Sequence, residues 1–225
     1  MSKKCFVVIV AGGSGVRMGG DIPKQFLDLE GKPILLRTVE AFLKLPFSVE
    51  IILVLPSDCI EMWEQICKQE DMHRECKIVQ GGITRFHSVK NALKYVPEGA
   101  LVAVHDGVRP FVPAEMICSL FNKAEECGAV IPVIHPIDSM RHLTPDGSSI
   151  HIKREEYVFI QTPQVFDSNI ILNAYNQPYS PFFTDDASVV EKAGHSISLA
   201  EGSHLNIKIT TKEDLVLAKA ILSVF

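Results

Sequence analysis

Short β-branched apolar runs alternate along the chain with longer segments in which apolar residues recur every three or four positions. The short runs are typical of buried strands and the longer segments of amphipathic helices. Strands are predicted at Cys5–Ala11, Glu50–Leu55, Lys77–Val79, Leu101–His105 and Ala129–Val133. Helices are predicted at Pro33–Leu45, Ile60–Glu70, Arg85–Tyr95, Ala114–Cys127, Ser168–Tyr175, Asp186–Ala193 and Lys212–Leu222.

This alternation of strands and helices predicts an α/β fold, in which a Rossmann-like, mostly parallel central sheet carries helices on both faces. Pro33 is expected at the first position of its helix, and Gly128 is expected to end the helix before it. In such sheets ligands bind at the carboxyl ends of the strands. Candidate chemistry is therefore expected just after Ala11, Val79, His105 and Val133.

Residues 135–153 interrupt the alternation. They contain a Pro145-Asp146-Gly147 turn between two short runs that can form strands, which predicts a protruding β-hairpin arm. An isolated hairpin is marginally stable in water, so the arm must pack on something. A loose surface loop and a dimerisation arm both remain open at this point. Without a long linker or repeat, residues 1–225 are interpreted as one domain.

Composition narrows the class of protein. The chain has 225 residues, 47% of them apolar, which is enough for a large core and excludes intrinsic disorder. Its formal net charge of −5 argues against a general nucleic-acid binder. The apolar run Cys5–Ala11 is too short to span a membrane, and the six cysteines show no metal-ligand spacing. A cytoplasmic protein without a membrane or nucleic-acid partner is expected.

A glycine-rich segment, Ala11–Gly20, follows the first strand, and Pro23-Lys24-Gln25-Phe26 comes directly after it. Consecutive glycines allow backbone N–H groups to converge on phosphate oxygens. The segment matches neither a Walker A loop nor a dinucleotide fingerprint, which makes a nicotinamide dehydrogenase a poor candidate. The cations Arg17 and Lys24 favour a phosphate-binding loop over a solvated surface turn.

Several segments together resemble the 2-C-methyl-D-erythritol 4-phosphate (MEP) cytidylyltransferases, in the order found in that family. They are Ala11-Gly-Gly-Ser-Gly-x-Arg17-Met18 with Pro23-Lys24-Gln25-Phe26, Gly81-Gly82-x-x-Arg85-x-x-Ser88-Val89, Val104-His105-Asp106-Gly-Val-Arg109-Pro110, Gln161-Thr162-Pro163-Gln164-x-Phe166, Thr184-Asp185-Asp186-Ala187 and Asn206-Ile207-Lys208-Ile209-Thr210. The resemblance covers nearly the whole chain. It implies an enzyme that couples CTP to MEP and releases pyrophosphate in non-mevalonate isoprenoid synthesis.

The resemblance also implies a set of site residues. Catalytic roles fall to Arg17, Lys24, Arg154 and Lys208. Nucleotide contacts fall to Ala11, Gly12, Gly13, Ser14, Gly15, Gly82, Arg85, Ser88, Asp106 and Gly107. Contacts with the acceptor substrate fall to Asp106, Arg109, Ser139, Arg154, Thr162, Thr184 and Lys208. Asp106 is the one metal ligand, for Mg²⁺, since Leu205 stands where some members carry a further acid.

In this family the arm reaches across a two-fold axis, so Arg154 is expected to complete the site of a second subunit in a homodimer. Ser139 stands where the family commonly has threonine, and Gly107 where it often has alanine. Two alternatives remain. Ribitol-5-phosphate cytidylyltransferases share the glycine-rich loop, although Thr184-Asp-Asp-Ala-Ser resembles the MEP enzymes more closely. The other is a non-catalytic nucleotide-binding subunit, which would have no reason to keep Arg17, Lys24, Asp106 and Lys208 together.

Overall fold

A computed structural model describes residues 2–12, 22–70 and 76–223 of the chain. The strands are β1 (Cys5–Val10), β2 (Asp28–Leu29), β3 (Lys32–Pro33), β4 (Glu50–Leu55), β5 (Cys76–Gln80), β6 (Leu101–Asp106), β7 (Ala129–Ile134), β8 (Met140–Leu143), β9 (Ser149–Ile152), β10 (Phe159–Ile160), β11 (Gln164–Asp167) and β12 (Ser198–Glu201). The helices are α1 (Ile34–Leu43), α2 (Ile60–Gln69), α3 (Arg85–Leu93), α4 (Ala114–Cys127), α5 (Ser168–Ala174), α6 (Asp186–Lys192) and α7 (Lys212–Leu222).

The central sheet has the strand order β10-β7-β11-β6-β1-β4-β5, and β12 also pairs with β7. The strands β6, β1, β4 and β5 run parallel to one another, and β12 runs parallel to β7. The strands β10 and β11 run antiparallel. The predicted α/β fold with a mostly parallel sheet is confirmed, but β10, β11 and β12 escaped the sequence analysis.

Helices cover both faces of the sheet, as β1 shows. Val7 and Ile9 pack on one face with α1, α2 and α4, while Phe6 and Val8 pack on the other face with α3, α5 and α6. Because successive side chains of a strand point to opposite faces, a central strand covered twice must be apolar throughout. This explains the unbroken apolar run at the start of the chain. The same packing holds the carboxyl end of β1 beside the carboxyl end of β6.

The ends of two helices test the local predictions. Gly128 ends α4 in the left-handed region at φ 82°, and its N–H donates to the carbonyl of Ala124, as predicted. Pro33 is the residue that caps α1 and lies outside the helix, so its expected place at the first helical position is wrong by one residue. Its φ of −57° still leads the chain into the helix.

The predicted hairpin forms from β8 and β9, which pair with each other and with no strand of the central sheet. Gly147 turns the chain at φ 84°, and the N–H of Thr144 donates to the carbonyl of Ser148 at 3.0 Å. Most of the hairpin side chains are exposed. Across residues 2–12, 22–70 and 76–223, no helix combines the length and apolar character that crossing a bilayer requires.

Candidate active site

A cavity of about 350 Å³ opens at the carboxyl ends of β1 and β6 and at the start of α3. Among the predicted residues, those that line it with backbone or hydroxyl groups are Ala11, Gly12, Gly82 and Ser88. Those that line it with charged groups are Lys24, Arg85, Asp106 and Lys208. The position agrees with the rule for parallel sheets and brings together segments distributed over most of the chain.

The start of α3 forms one wall of this cavity. Thr84 caps the helix, since its hydroxyl accepts from the N–H of His87. Ser88 Oγ accepts from the N–H of Gly82 at 3.0 Å and donates to the carbonyl of Thr84 at 2.9 Å. A Cβ on Gly82 would lie 2.4 Å from Cβ of His87, so only glycine allows this turn. The N-terminus of a helix carries partial positive charge, which suits this wall to an anionic ligand.

Lys24 reaches the cavity from a single 3₁₀ turn, Lys24–Phe26. The buried side chain of Gln25 ties this turn to the end of β1, because its Nε2 donates to the carbonyl of Ala11 at 2.9 Å. This role of Gln25 was not predicted from the sequence. Its place between the lysine and a buried Phe26 in the Pro-Lys-Gln-Phe segment was the available signal.

Asp106 ends β6 and is nearly buried. Its Oδ2 lies 3.1 Å from Nε of Arg109 and 3.0 Å from Nζ of Lys208, whereas its Oδ1 lies 3.9 Å from Nε of Arg85. Burial alone would raise the pKa of the Asp106 carboxyl. The charges of Arg85, Lys208 and Arg109 outweigh burial and hold the pKa well below its usual range. The carboxylate is therefore ionised, with one oxygen held tightly and the other loosely.

A polar network behind Asp106 fixes its backbone. The N–H of Asp106 donates to Oγ1 of Thr162 at 3.1 Å, and Thr162 Oγ1 lies 3.1 Å from Nδ1 of His105. Nε2 of His105 lies 3.1 Å from the carbonyl of Arg109. A carbonyl only accepts, so we assign the hydrogen to Nε2 and let Nδ1 accept from the Thr162 hydroxyl. Burial lowers the pKa of His105 to about 4, and the ring is neutral at physiological pH.

Arg109 lies in the same network. Its guanidinium is buried and donates to Oδ2 of Asp106 and, from a second nitrogen, to the carbonyl of Asn206 at 2.8 Å. The N–H of Ile209 donates to the carbonyl of Val108 at 3.0 Å. Together these contacts hold the segment that carries Lys208 against the end of β6.

Arg85 is held from the opposite side by residues that the sequence analysis did not assign to the site. One of its terminal nitrogens donates to Oδ2 of Asp186 at 2.6 Å, and Asp186 Oδ1 accepts from the hydroxyl of Tyr175 at 2.6 Å. Asp186 and Tyr175 are buried. Burial lowers the pKa of Arg85, but the charges of Asp186 and Asp106 outweigh burial and raise it above its ordinary value. The guanidinium is therefore always charged.

A second cavity of about 240 Å³ adjoins the first and shares Arg85, Asp106 and Lys208 with it. The predicted acceptor-binding residues Arg109, Thr162 and Thr184 line this second cavity. Two ligands placed in the two cavities would therefore meet at Asp106 and its cations.

Some predicted residues lie elsewhere. Ser139 and Arg154 are exposed beside the hairpin and line neither cavity of their own chain. Gly107 does not reach the cavities either: its N–H donates to the carbonyl of Val10, and a Cβ there would lie 2.9 Å from Cβ of Ala11. Close packing therefore explains the glycine at 107, and its expected nucleotide contact stays a prediction. Gly13, Ser14, Gly15 and Arg17 lie outside the described residues.

The site can bind a magnesium ion through a single protein carboxylate, with substrate phosphates as further ligands. No group of three or more His, Cys, Asp or Glu side chains suited to a metal occurs in residues 2–12, 22–70 and 76–223. Mg²⁺ commonly binds one or two carboxylates, with phosphate oxygens and water as its other ligands. Asp106 lines both cavities, and its Oδ1 lies 3.9 Å from Nε of Arg85, too far for a hydrogen bond, so Asp106 can serve as that single carboxylate beside a phosphate.

Comparisons with known proteins extend over nearly the whole chain. The profile of the 2-C-methyl-D-erythritol 4-phosphate cytidylyltransferase family matches residues 5–224. The enzyme of that name from Bacteroides thetaiotaomicron is 51% identical over 216 residues, which cover 96% of this chain and 98% of the relative. The one from Porphyromonas gingivalis is 47% identical over 224 residues, covering 99% and 100%.

Solved structures agree with the sequence comparisons. A 4-diphosphocytidyl-2C-methyl-D-erythritol synthase from Anaerococcus prevotii superposes with a TM-score of 0.84 at 30% identity, covering 98% of this chain and 96% of the other. The 2-C-methyl-D-erythritol 4-phosphate cytidylyltransferase from Thermus thermophilus gives 0.79 at 28% identity, covering 98% and 99%. The chain therefore belongs to the 2-C-methyl-D-erythritol 4-phosphate cytidylyltransferase family and is a nucleotidyltransferase.

Proposed function

We propose that the protein transfers the cytidylyl group of CTP to 2-C-methyl-D-erythritol 4-phosphate (MEP), giving 4-diphosphocytidyl-2-C-methyl-D-erythritol and pyrophosphate. The observation that carries the proposal is the pair of adjoining cavities that share Arg85, Asp106 and Lys208. Two phosphate-bearing substrates can meet there, and membership of the family names them.

The first cavity takes CTP. Lys24 and the start of α3 face the triphosphate, beside Ala11 and Gly12 at the start of the glycine-rich segment. The second cavity takes MEP, with Lys208 beside the phosphate and Thr184 beside the polyol. Thr162 and Arg109 act mainly on Asp106 and on the Lys208 segment, since their polar groups already contact those parts of the chain.

The reaction needs no general base. A phosphomonoester has a second pKa of about 6, so its oxygen is ionised and nucleophilic at neutral pH. That oxygen attacks the α-phosphorus of CTP, a new P–O bond forms, and the bond to the β-phosphate breaks with its electrons leaving on pyrophosphate. The obstacle is charge, because two anions approach each other. Positioned cations remove this obstacle, a role we assign to Arg17, Lys24 and Lys208.

We propose Asp106 as the protein ligand of Mg²⁺, through Oδ1. The ion, when bound, neutralises phosphate charge and polarises the P–O bond to the leaving group. The chain's own contribution is an ionised carboxylate whose Oδ2 is fixed by Arg109 and Lys208, so that Oδ1 keeps its direction.

We further propose a homodimer in which the hairpin arm completes the partner's site with Ser139 and Arg154. The arm and the segment after it carry several exposed apolar side chains, among them Ile137, Leu143, Ile150, Phe159 and Ile160. Apolar surface of this kind is typical of an interface. The acceptor phosphate would then meet Arg154 from a second chain. We place the enzyme in the cytoplasm, acting on small phosphates without a nucleic acid or a membrane.

Pyrophosphate release with CTP tests the proposal when three reactions are compared: MEP, ribitol 5-phosphate and no acceptor. The proposal is supported if pyrophosphate is released with MEP but not in the other two reactions, and if mass spectrometry identifies the cytidylyl product. Preference for ribitol 5-phosphate would assign the protein to that other cytidylyltransferase activity. Nucleotide binding without release from any acceptor would indicate a non-catalytic subunit. Lys44→Ala serves as the matched control, since that side chain is 75% exposed and pairs with Glu40 outside both cavities.

A further inference from the structure

Arg85 lies between the carboxylates of Asp106 and Asp186 and is much closer to Asp186. Its terminal nitrogen lies 2.6 Å from Oδ2 of Asp186, whereas its Nε lies 3.9 Å from Oδ1 of Asp106. The first distance is that of a strong charge-assisted hydrogen bond, and the second is too long for a hydrogen bond. The guanidinium is therefore committed to Asp186, although it lines both cavities beside Asp106.

Asp186 is built to hold this position. It is the first residue of α6, its side chain is fully buried, and its other oxygen accepts from the Tyr175 hydroxyl at 2.6 Å. The Tyr175 ring stacks on Phe86, the neighbour of Arg85, with ring centroids 4.7 Å apart. A buried carboxylate with fixed partners attracts an arginine more strongly than a partly solvated one, because the local dielectric is lower.

We propose that Asp186 is a positioning residue that keeps Arg85 away from Asp106 and so leaves Asp106 Oδ1 open to a divalent cation. The inference rests on the metal role proposed for Asp106. Oδ2 of Asp106 is already occupied by Arg109 and Lys208. If Arg85 closed on Oδ1 as well, three cations would hold the carboxylate and no oxygen would remain for a metal.

A purely structural role for Asp186 makes a different prediction. A counter-ion that only neutralises a buried arginine would, when removed, lower the free energy of unfolding and leave the metal affinity unchanged. A positioning role requires that the effect on the metal disappear when Arg85 is absent. Asp186→Asn separates the two, since its amide keeps the size of the carboxylate and can bond both Arg85 and Tyr175 without the charge.

The experiment measures Mn²⁺ binding by electron paramagnetic resonance, with saturating CTP and no acceptor, so that no turnover occurs. Asp186→Asn is expected to weaken Mn²⁺ binding by about tenfold or more, as losses of groups that orient metal ligands do. Tyr175→Phe, which keeps the stacked ring, is expected to act in the same direction but less. In an Arg85→Gln background, Asp186→Asn is expected to have no further effect. A crystal structure of Asp186→Asn is expected to show Arg85 at hydrogen-bond distance from Asp106 Oδ1.

The controls separate this inference from the proposed function. If Asp106→Asn binds Mn²⁺ as the unaltered protein does, the metal role of Asp106 is wrong and the inference is overturned with it. If Asp106→Asn loses the ion while Asp186→Asn and Tyr175→Phe retain it, the inference alone is overturned. An equal loss in the presence and absence of Arg85 also overturns it. Should Asp186→Asn fail to fold, Tyr175→Phe decides, and an unchanged affinity contradicts the proposal.

Discussion

Nζ of Lys208 lies 3.0 Å from Oδ2 of Asp106, although Asp106 ends β6 and Lys208 belongs to the segment before α7. Backbone and side-chain contacts between the two segments make this possible, through Ile209 with Val108 and Asn206 with Arg109. The pair lies where the two cavities meet. The position of the Lys208 ammonium thus depends on these contacts between the two segments, which can act without touching substrate.

Lys24→Ala is expected to lower kcat by about 10² to 10³ while the protein stays folded, because a preorganised cation beside the triphosphate is lost. Steady-state pyrophosphate release and thermal unfolding measure the two quantities. The control is Lys44→Ala, which removes an exposed ammonium elsewhere and should leave both unchanged. Near-normal turnover by Lys24→Ala would remove this lysine from the catalytic set.

Gly82→Ala is expected to lower kcat/KM for CTP by about 10²-fold, because the new methyl group displaces the start of α3. Its Cβ would lie 2.4 Å from Cβ of His87 and 2.9 Å from a backbone carbon of that residue. The adjacent Gly81→Ala meets nothing closer than Ser88 Oγ at 3.3 Å and should cost far less. Equal effects in the two variants would show that the close approach at Gly82 is not what matters.

Mixing Lys24→Ala with Arg154→Ala subunits tests the shared site. If Arg154 completes the partner's site, a mixed dimer has one intact site and one with both defects. Random exchange should then restore about a quarter of the activity of the unaltered enzyme. Exchange is verified by tagging one subunit and isolating mixed dimers. Mixed dimers as inactive as their parents would place Lys24 and Arg154 in the same chain's site and contradict the shared site.

His105 predicts a specific pH dependence of stability. Burial lowers its pKa in the folded protein to about 4, from 6.5 as the ordinary value. As pH falls from about 6.5 to about 4, the unfolded state binds a proton at His105 that the folded state does not bind. The free energy of unfolding therefore decreases across that window, and above it His105 has no effect on the pH dependence. The difference corresponds to about 3 kcal/mol.

Urea unfolding between pH 7.5 and 4.5, at constant protein concentration and with metal chelated, measures this loss. His105→Gln should flatten the dependence, although it also removes contacts to Thr162 and Arg109. His204→Gln, at an exposed position, should keep the dependence of the unaltered protein. An unchanged pH dependence in His105→Gln would contradict the assignment of the buried neutral ring.

The sequence predicts the helices to within about two residues, since each of them carries a periodic apolar face. It misses β10, β11 and β12, which are only two to four residues long; Phe159 and Ile160 in β10 are even exposed. The loop between β10 and β11 carries Thr162 to the backbone of Asp106. The network behind Asp106 therefore could not be predicted from local patterns.

A similar limit applies to the candidate site. Lys24, Arg85, Asp106 and Lys208 each stand in a recognisable segment, and the structure brings all four to one cavity. The contacts of Asp186 with Arg85 and Tyr175 join residues from three helices and helix ends, so no spacing in the sequence indicates them. Burial and distance, which decide this arrangement, exist only in the folded chain.

A crystal structure with CTP and Mg²⁺ tests the central claim most directly. We predict the triphosphate in the cavity between Lys24 and the start of α3, with the ion on Oδ1 of Asp106 and Arg85 still bound to Asp186. A nucleotide bound elsewhere, with that cavity vacant and Lys24 directed into solvent, would contradict the account.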